Sequence, residues 1–389
     1  MAQANLPDPI FIARPAALQR LADELQREPI IAVDTESNSL YVYYERVCLI
    51  QFSTPRQDYL VDPLALQDLS PLRPIFASQE IEKVFHAAEY DVICLKRDFQ
   101  LSFNRLFDTM IAARILGHDN LGLGSILRAE FGVQVDKRHQ RANWGQRPLP
   151  PHLMAYAQLD THYLINIRHR LHNELVSKSL WQLACEDFKR LQEANERANW
   201  RTNWRASWRT NDKNNDCWRI NGASELDPVE AAVLRELCLY REQAARQADL
   251  PLFKIMGDKI LLAIAARKPR EAGELARIPG MSALQMKRHG KALLAAIQRG
   301  LNSPPLYPPR QRRPDESYLA RLEALKEWRK RTARRMGVNS DVVLPRDLLH
   351  AIAEQNPPHA YHLGEIMEEV PWRLATFGEE ILYLLERID

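Results

Sequence analysis

The sequence lacks the cysteine spacing of a zinc site or a disulfide framework. Its 389 residues include five cysteines, an odd number, and no two of them form a Cys-x-x-Cys pair. Such a set favours neither a structural zinc ion nor a secreted fold held together by disulfides. We therefore expect a protein that needs neither.

Long apolar runs are also missing. No apolar stretch approaches the roughly 18 residues of a membrane-spanning helix, and residues 1–9 show no basic-then-apolar signal pattern. We expect a cytoplasmic protein without membrane contact. A Gly-x-x-x-x-Gly-Lys loop is absent as well, and no other helicase or polymerase motif is present.

What the sequence does contain is typical of a globular protein. Hydrophobic residues make up 46% and charged residues 26%, and the length allows two or three domains.

The net charge of +3 is uninformative, but its distribution along the chain is uneven. Residues 299–335 hold eleven basic and four acidic residues, whereas residues 336–389 hold three basic and ten acidic residues. This asymmetry indicates steering of a polyanion. A solvated charged helix explains the pattern equally well.

The stretch Ile30–Glu36 ends a predicted buried strand with two carboxylates. Asp34 and Glu36 are two residues apart, so on a strand they point to the same face. Two like charges side by side are unfavourable unless a cation lies between them. A metal ion is therefore one hypothesis, and a strand that runs into a polar loop is the alternative.

Strand candidates and helices then alternate. Residues 46–53 and 58–61 follow at the short spacing of an antiparallel meander, and residues 83–86 and 105–108 each lead into a predicted helix. This mixture predicts an α/β domain with a mixed sheet. The later chain is predicted to be helical over the ranges 152–199, 229–248, 259–266, 284–300, 317–336 and 377–387.

Two more acidic sites follow in the predicted sheet domain. Asp91 lies in the first turns of the helix after the strand 83–86, and Tyr156 and Asp160 share one helix face at i, i+4 spacing. Oxygen ligands of this kind suit Mg²⁺ or Mn²⁺. Four carboxylates can hold two ions roughly 3.5–4 Å apart, an arrangement that supports phosphodiester cleavage.

In this order, Asp34-x-Glu36, Asp91 and Tyr156-x-x-x-Asp160 resemble the three motifs of the DEDD exonucleases, tyrosine subclass, and most closely ribonuclease D. The stretches Leu49-Ile50-Gln51 and Phe107-Asp108-Thr109 support the resemblance. Residues 258–297, with Pro279-Gly280-Met281-Ser282, are similar to the helical HRDC domain shared by ribonuclease D and RecQ-type helicases. Residues 316–389 look like a second, diverged copy that has no obvious match to this turn.

The resemblance implies a ribonuclease H-like exonuclease domain followed by two small all-α bundles. We expect the exonuclease domain at 1–195 and HRDC-like domains at 221–302 and 316–389. A Trp/Asn/Arg-rich linker or insertion is expected at 196–220, and a Pro/Arg-rich linker at 303–315.

The resemblance also implies a metal-dependent 3′→5′ exoribonuclease that trims RNA with a 3′ extension, such as a tRNA precursor. It implies two divalent cations, Mg²⁺ or Mn²⁺, with Asp34, Glu36, Asp91 and Asp160 as their ligands. Tyr156 is implied to position the attacking water, and Glu36 to contact the terminal 3′ hydroxyl as well. The alternatives are a 3′→5′ exonuclease acting on DNA and a non-catalytic nucleic-acid-binding scaffold, although none of the five motif residues is missing.

Other residues have both a functional and a structural interpretation. His86 is a candidate acid or base, although a structural role is favoured, and Asp108 is expected to cap the helix that follows it. Gln51 could point into the cleft. Trp144 and the stretch Arg147-Pro148-Leu149 are expected to order the loop before Tyr156.

Residues 198–209 repeat a tetrapeptide three times, with Trp200, Trp204 and Trp208 each followed by Arg. Aromatic side chains interleaved with Arg could stack on bases while Arg neutralises phosphates. An interdomain linker of low complexity is the alternative.

Overall fold

A computed structural model of the chain describes residues 6–66, 68–194, 216–308 and 315–388. The chain forms two compact units. The first unit comprises Met1–Ser37, Val47–Asn195 and Arg313–Asp389, and the second comprises Asn38–Arg46 and Glu196–Arg312. The Trp/Asn/Arg repeat at 198–209 lies outside the described residues.

The first unit is built on a six-stranded mixed sheet. Its strands are β1 (Ile10–Ile12), β2 (Ile30–Ser37), β3 (Val47–Ser53), β4 (Asp58–Val61), β5 (Glu82–Phe85) and β6 (Leu106–Asp108). They lie in the order β1-β4-β3-β2-β5-β6. The segment β2-β3-β4 is an antiparallel meander, whereas β5 and β6 continue the sheet in parallel with β2. The predicted mixed sheet is confirmed, and the three-residue strand β1 was not predicted.

In the described residues, eight α-helices accompany this sheet. They are α1 (Pro15–Leu25), α2 (Arg73–Ala77), α3 (Glu89–Phe99), α4 (Thr109–Ile115), α5 (Leu123–Phe131), α6 (Pro151–His162), α7 (Leu164–Ser177) and α8 (Trp181–Gln192). Alternate residues of β2 face opposite layers: Ile31 and Val33 pack in a cluster with α1 and α3, and Ala32 packs in a cluster with α4, α7 and α8. The single helical region predicted over 152–199 is thus divided into three helices, because the chain turns at Tyr163 and at Ser179, whose φ is +57°.

The described part of the second unit contains a bundle of five α-helices. They are α9 (Pro228–Ala248), α10 (Leu252–Ile255), α11 (Asp258–Arg267), α12 (Ala272–Ala276) and α13 (Ala283–Leu301). Capping boxes at Asp227 and Ser282 start the two long helices. These helices approach closely at Gly300, where an added Cβ would lie 2.4 Å from the Cα of Val233. The three longer helices were predicted, whereas α10 and α12 are too short to show a clear period.

The C-terminal bundle belongs to the first unit. It consists of α14 (Glu316–Met336), α15 (Ser340–Val343), α16 (Arg346–Gln355), α17 (Ala360–Ile366) and α18 (Pro371–Leu385). Arg373 on α18 is fully buried and forms ion pairs of 2.8 Å with both Glu186 and Asp187 of α8. The bundle is therefore joined to the helices of the sheet layer. In the described part of the chain, no helix combines the length and the apolarity that crossing a membrane requires.

Candidate active site

The C-terminal half of β2 extends beyond β5, the strand that pairs with β2 in parallel. β5 pairs with Ile30–Ala32 only, whereas β3 pairs with β2 from Ala32 to Ser37. Asp34 and Glu36 lie in this extension, on the opposite strand face from Thr35. One edge of the extension is thus not paired with β5, which leaves room for side chains that arrive from the helices.

Asp91 reaches this edge from the first turn of α3. Asp108 fixes the start of that helix, because its Oδ2 accepts a 2.7 Å bond from the amide of Ala88 while its Oδ1 caps α4. The hydroxyl of Thr35 donates a hydrogen bond to Oδ1 of Asp91. This bond places Asp91 directly beside the strand that carries Asp34 and Glu36.

Tyr156 and Asp160 come from α6, which packs across the other face of the strands. Tyr156 packs in a buried cluster with Leu49 of β3 and Leu60 of β4. Asp160, one helical turn later, is 8% exposed. Both side chains therefore face the sheet, as their i, i+4 spacing predicts.

Buried polar contacts hold α6 in place. The carboxylate of Asp58 accepts bonds of 2.6–2.8 Å from Ser53 on β3 and from Gln158 and His162 on α6. Ser53 also bonds with Thr161 at 2.7 Å. These bonds orient the sheet-facing side of α6 and with it Tyr156 and Asp160.

A second anchor holds the loop that leads into α6. Nε and Nη2 of Arg147 donate 2.7 Å bonds to the two carboxylate oxygens of Asp62. The same guanidinium also bonds to the carbonyl oxygens of Cys48 and Trp144. The expected role of Trp144 and Arg147 in ordering this loop is supported by these contacts.

The four carboxyls interact strongly with one another. Burial raises the pKa of Asp34 well above its ordinary value, and Asp91, Asp160 and Glu36 add to the shift. Burial also raises the pKa of Glu36, again with contributions from Asp160 and Asp91. The four groups thus lie within electrostatic range of one another.

The other members of the cluster show the same behaviour. Burial raises the pKa of Asp91 to about 7. The hydrogen bond from the Thr35 hydroxyl lowers this pKa, and the charge of Asp108 raises it further. Burial raises the pKa of Asp160 to about 8. The hydrogen bond from the Tyr156 hydroxyl lowers this pKa, and the charge of Asp91 raises it further. The pKa of Tyr156 is raised far above its ordinary value by burial and by the carboxylates of Asp160, Glu36 and Asp34. Tyr156 is thus a neutral hydroxyl at physiological pH.

The carboxylate oxygens of these four residues are the type of ligand that a hard divalent cation prefers. Four half-buried or buried carboxyls with raised pKa values supply only oxygen ligands, and a bound cation would offset their mutual repulsion. In the described segments, no three acidic, histidine or cysteine side chains already converge as a metal site. One carboxylate oxygen of Asp91 accepts the hydrogen bond from the Thr35 hydroxyl.

The five predicted site residues, Asp34, Glu36, Asp91, Tyr156 and Asp160, lie close enough to interact electrostatically. His86 lies apart as a structural residue, with its Nδ1 2.9 Å from the hydroxyl of Thr109. Asp108 caps α4 as predicted. Gln51 is completely buried and faces Asp34 across the β2–β3 pair.

Two contributors were not predicted from the sequence. Thr35 contacts Asp91, and Asp58 anchors α6. Thr35 has a weak sequence signal, since it is a hydroxyl between two motif acids. Asp58 has none, because its α6 partners are at least 100 residues away along the chain.

Family models match most of the described chain. A model described as 3′-5′ exonuclease matches residues 9–176, and a model described as HRDC domain matches residues 230–297 and 318–385. The second HRDC match covers the segment that lacks the Gly-Met-Ser turn. All five residues of the cluster fall within the exonuclease match.

Among similar proteins, Protein RRP6-like 3 of Arabidopsis thaliana is 33% identical over 68% of this chain, which spans only 31% of that protein. Ribonuclease D of Gluconacetobacter diazotrophicus is 29% identical over 98% of this chain and 94% of its own length. The crystal structure of Escherichia coli RNase D superposes with a TM-score of 0.69 and 25% identity, over 98% of this chain and 99% of that one. The chain therefore contains a 3′–5′ exonuclease domain followed by two HRDC domains, and it is similar over nearly its full length to ribonuclease D proteins.

Proposed function

We propose that this protein is a metal-dependent 3′→5′ exoribonuclease that trims the 3′ ends of structured RNA, such as tRNA precursors, and releases nucleoside 5′-monophosphates. The observation that carries the proposal is the group of four interacting carboxyls, of which Asp91 and Asp160 are buried and Asp34 and Glu36 half-buried, beside the neutral hydroxyl of Tyr156. A group of like charges that is largely removed from water destabilises the fold unless it binds a cation, so its presence is best explained by function.

In this proposal Asp34, Glu36, Asp91 and Asp160 hold two divalent cations, Mg²⁺ or Mn²⁺. Bound cations of this kind activate a water and stabilise the leaving oxygen of a phosphodiester. The Tyr156 hydroxyl positions the attacking water as a hydrogen-bonding partner and not as a base, because its raised pKa keeps it protonated. Glu36, near the end of β2, also accepts a hydrogen bond from the terminal 3′ hydroxyl of the substrate.

RNA is the proposed substrate because the chain matches ribonuclease D proteins over nearly its full length. The similar Escherichia coli enzyme is described as an exoribonuclease involved in structured RNA processing. Two HRDC domains accompany the exonuclease domain here. A tRNA precursor with a 3′ extension is the substrate class that we propose to test first.

The test is to incubate the protein with a 3′-extended tRNA and with DNA of the same sequence, in Mg²⁺, Mn²⁺ or EDTA. We expect stepwise shortening of the RNA from its 3′ end, nucleoside 5′-monophosphates as products, and no cleavage in EDTA. Faster cleavage of the DNA would refute the RNA assignment. Endonucleolytic fragments would refute the exonuclease assignment.

Asp34→Asn tests the metal assignment. Loss of a direct metal ligand should reduce kcat/KM by more than about 100-fold, since loss of groups that only orient ligands already costs about 10- to 100-fold. Asp23→Asn is the matched control, because Asp23 is an exposed acid on α1. If Asp34→Asn cleaves RNA as fast as Asp23→Asn does, the two-metal assignment is wrong.

A further inference from the structure

Two buried side chains in the described part of the chain have no partner for any polar atom they carry. They are Gln51, through both Nε2 and Oε1, and Trp144, through Nε1. The other buried atoms of this kind belong to side chains that form a hydrogen bond or an ion pair, such as Arg241 and Asp187. Both exceptions lie near α6: Trp144 packs in one cluster with Tyr156, and Gln51 lies on the strand face that α6 covers.

The strand pairing of the sheet identifies the residues on either side of Gln51. Across the sheet it lies between Asp34 of β2 and Leu60 of β4. Along β3, the residues that share its face are Leu49 and Ser53. Leu49 packs with Tyr156 and Ser53 bonds with Thr161, so the Gln51 amide lies beneath the stretch of α6 that carries Asp160.

A buried amide with no partner is unfavourable, because it gives up its bonds to water without replacing them. Leu and Met have about the same volume and lack this cost. The position nevertheless carries Gln, 0% exposed and directly opposite a site carboxylate whose Cβ lies within about 4.5–5.5 Å in such a pair.

We propose that Gln51 is a positioning residue for Asp34, in the metal-bound state of the proposed nuclease. Its amide Nε2 donates a hydrogen bond, directly or through one water, to one carboxylate oxygen of Asp34. The other oxygen of Asp34 then faces the cation. The inference rests on the proposed function, since it assigns Gln51 a role only in metal binding.

Gln51→Met tests this role, since Met fills the space and lacks the amide. In EDTA, we expect a melting temperature equal to or above that of the wild type, because no bond is lost. The dissociation constant for Mn²⁺, measured by titration calorimetry, should rise about 10- to 100-fold, as it does when a group that orients a metal ligand is removed. Cleavage at limiting Mn²⁺ should fall and should recover at saturating Mn²⁺.

Gln158→Met is the matched control for stability. Gln158 is an equally buried glutamine, 4% exposed, whose Nε2 donates 2.7 Å bonds to Asp58 and to the carbonyl of Pro7. Its replacement should lower the melting temperature in EDTA. The contrast separates a buried amide that is bonded in the metal-free protein from one that is not.

An unchanged Mn²⁺ dissociation constant in Gln51→Met overturns the assignment whatever the melting temperature. A loss of melting temperature as large as that of Gln158→Met overturns it as well, since the amide would then be bonded without metal, for example to a structural water. If the wild type itself neither binds Mn²⁺ nor cleaves RNA, the proposed function fails. If the wild type does both and Gln51→Met binds Mn²⁺ equally well, only the role of Gln51 fails.

Discussion

At the scale of single residues, the carboxyl cluster makes the stability of the metal-free protein depend on pH. The pKa of Asp91 is raised to about 7 and that of Asp160 to about 8. A carboxyl whose folded pKa exceeds its unfolded value binds its proton more tightly in the folded state. Its favourable contribution is complete below the unfolded pKa, near 4, and is lost as pH rises through the folded pKa. We therefore expect the melting temperature in EDTA to fall between pH 5 and pH 8.

Asp160→Asn should flatten this pH dependence, because the amide cannot ionise. A shift of one pKa unit corresponds to about 1.4 kcal/mol of stability for one group. At pH 8 in EDTA, Asp160→Asn should therefore be more stable than the wild type. At pH 5 this difference should disappear. Mg²⁺ should raise the melting temperature of the wild type most at pH 8, where protons compete least. A wild-type melting temperature that rises with pH in EDTA would contradict the carboxyl interactions described above.

Tyr156 provides a second prediction at this scale. Its strongly raised pKa keeps the hydroxyl protonated, so activity should show no rise that follows ionisation of a tyrosine up to pH 10. Tyr156→Phe should lower kcat by about 100-fold through loss of orientation of the attacking water. Its dissociation constant for Mn²⁺ should stay near that of the wild type, since the ring packing on Leu49 and Leu60 is retained. A large loss of metal affinity would instead make Tyr156 part of the metal site.

The motif residues could be predicted from the sequence because their spacing is local. Asp34 with Glu36 follows the two-residue period of a strand, and Tyr156 with Asp160 follows the helical period. Thr35 could not be assigned, since its partner Asp91 lies 56 residues away and approaches only where β2 extends beyond β5.

At the scale of elements, α6 depends on buried polar contacts as well as on apolar packing. Asp58 receives hydrogen bonds from Ser53, Gln158 and His162. Burial acts to raise the pKa of Asp58, but the bonds from His162, Ser53 and Gln158 outweigh it and leave the pKa below its ordinary value. Asp58→Asn should therefore destabilise the protein by about 2 kcal/mol at pH 7, since bonds to a charged acceptor are lost. Urea unfolding measures this change.

The same substitution should lower kcat, because α6 carries Tyr156 and Asp160. A carboxyl with a lowered folded pKa contributes stability above its unfolded pKa and loses it as pH falls through the folded pKa. The difference between Asp58→Asn and the wild type should therefore shrink in acid. An equal difference at pH 7 and pH 3 would show that the charge of Asp58 is unimportant.

The sequence also predicted most elements, and its failures have physical causes. Strands and helices with a clear apolar period, such as β2 and α9, were assigned within one or a few residues. The strand β1 and the helices α10, α12, α15 and α17 are too short to display a period. The breaks between α6, α7 and α8 occur without Pro or Gly, because Tyr163 and Ser179 adopt the required backbone angles.

At the scale of the whole molecule, the grouping of segments could not be predicted from the sequence. Proline-rich and low-complexity stretches suggested where domains begin and end, and those boundaries remain predictions. They carry no information on which domain packs against the sheet layer. The C-terminal bundle does so through Arg373, whose partner Glu186 is 187 residues away in sequence. Asn38–Arg46, between β2 and β3, belongs to the second unit, where the amides of Tyr43 and Tyr44 donate to Asp249 at 3.1 and 3.0 Å.

The Arg373 cluster should make the C-terminal bundle and the sheet layer unfold together. The guanidinium is 0% exposed and also donates to the carbonyls of Val342 and Val343. Burial raises the pKa values of Glu186 and Asp187 even beside this cation. Arg373→Met leaves the buried Glu186 and the partly exposed Asp187 without their shared cation, so we expect a loss of about 3–5 kcal/mol.

In the Arg373→Met variant, the first unit should melt in one cooperative transition at a lower temperature than in the wild type. RNA cleavage should be lost over the same temperature range. Adding Glu186→Gln should restore part of the stability, because the acid that bonds Arg373 through both oxygens is then neutral. Asp187→Asn alone is the control and should cost less, since Asp187 is a more exposed partner. Calorimetry that resolved an early transition of the bundle with cleavage retained would show that the bundle folds independently of the catalytic sheet.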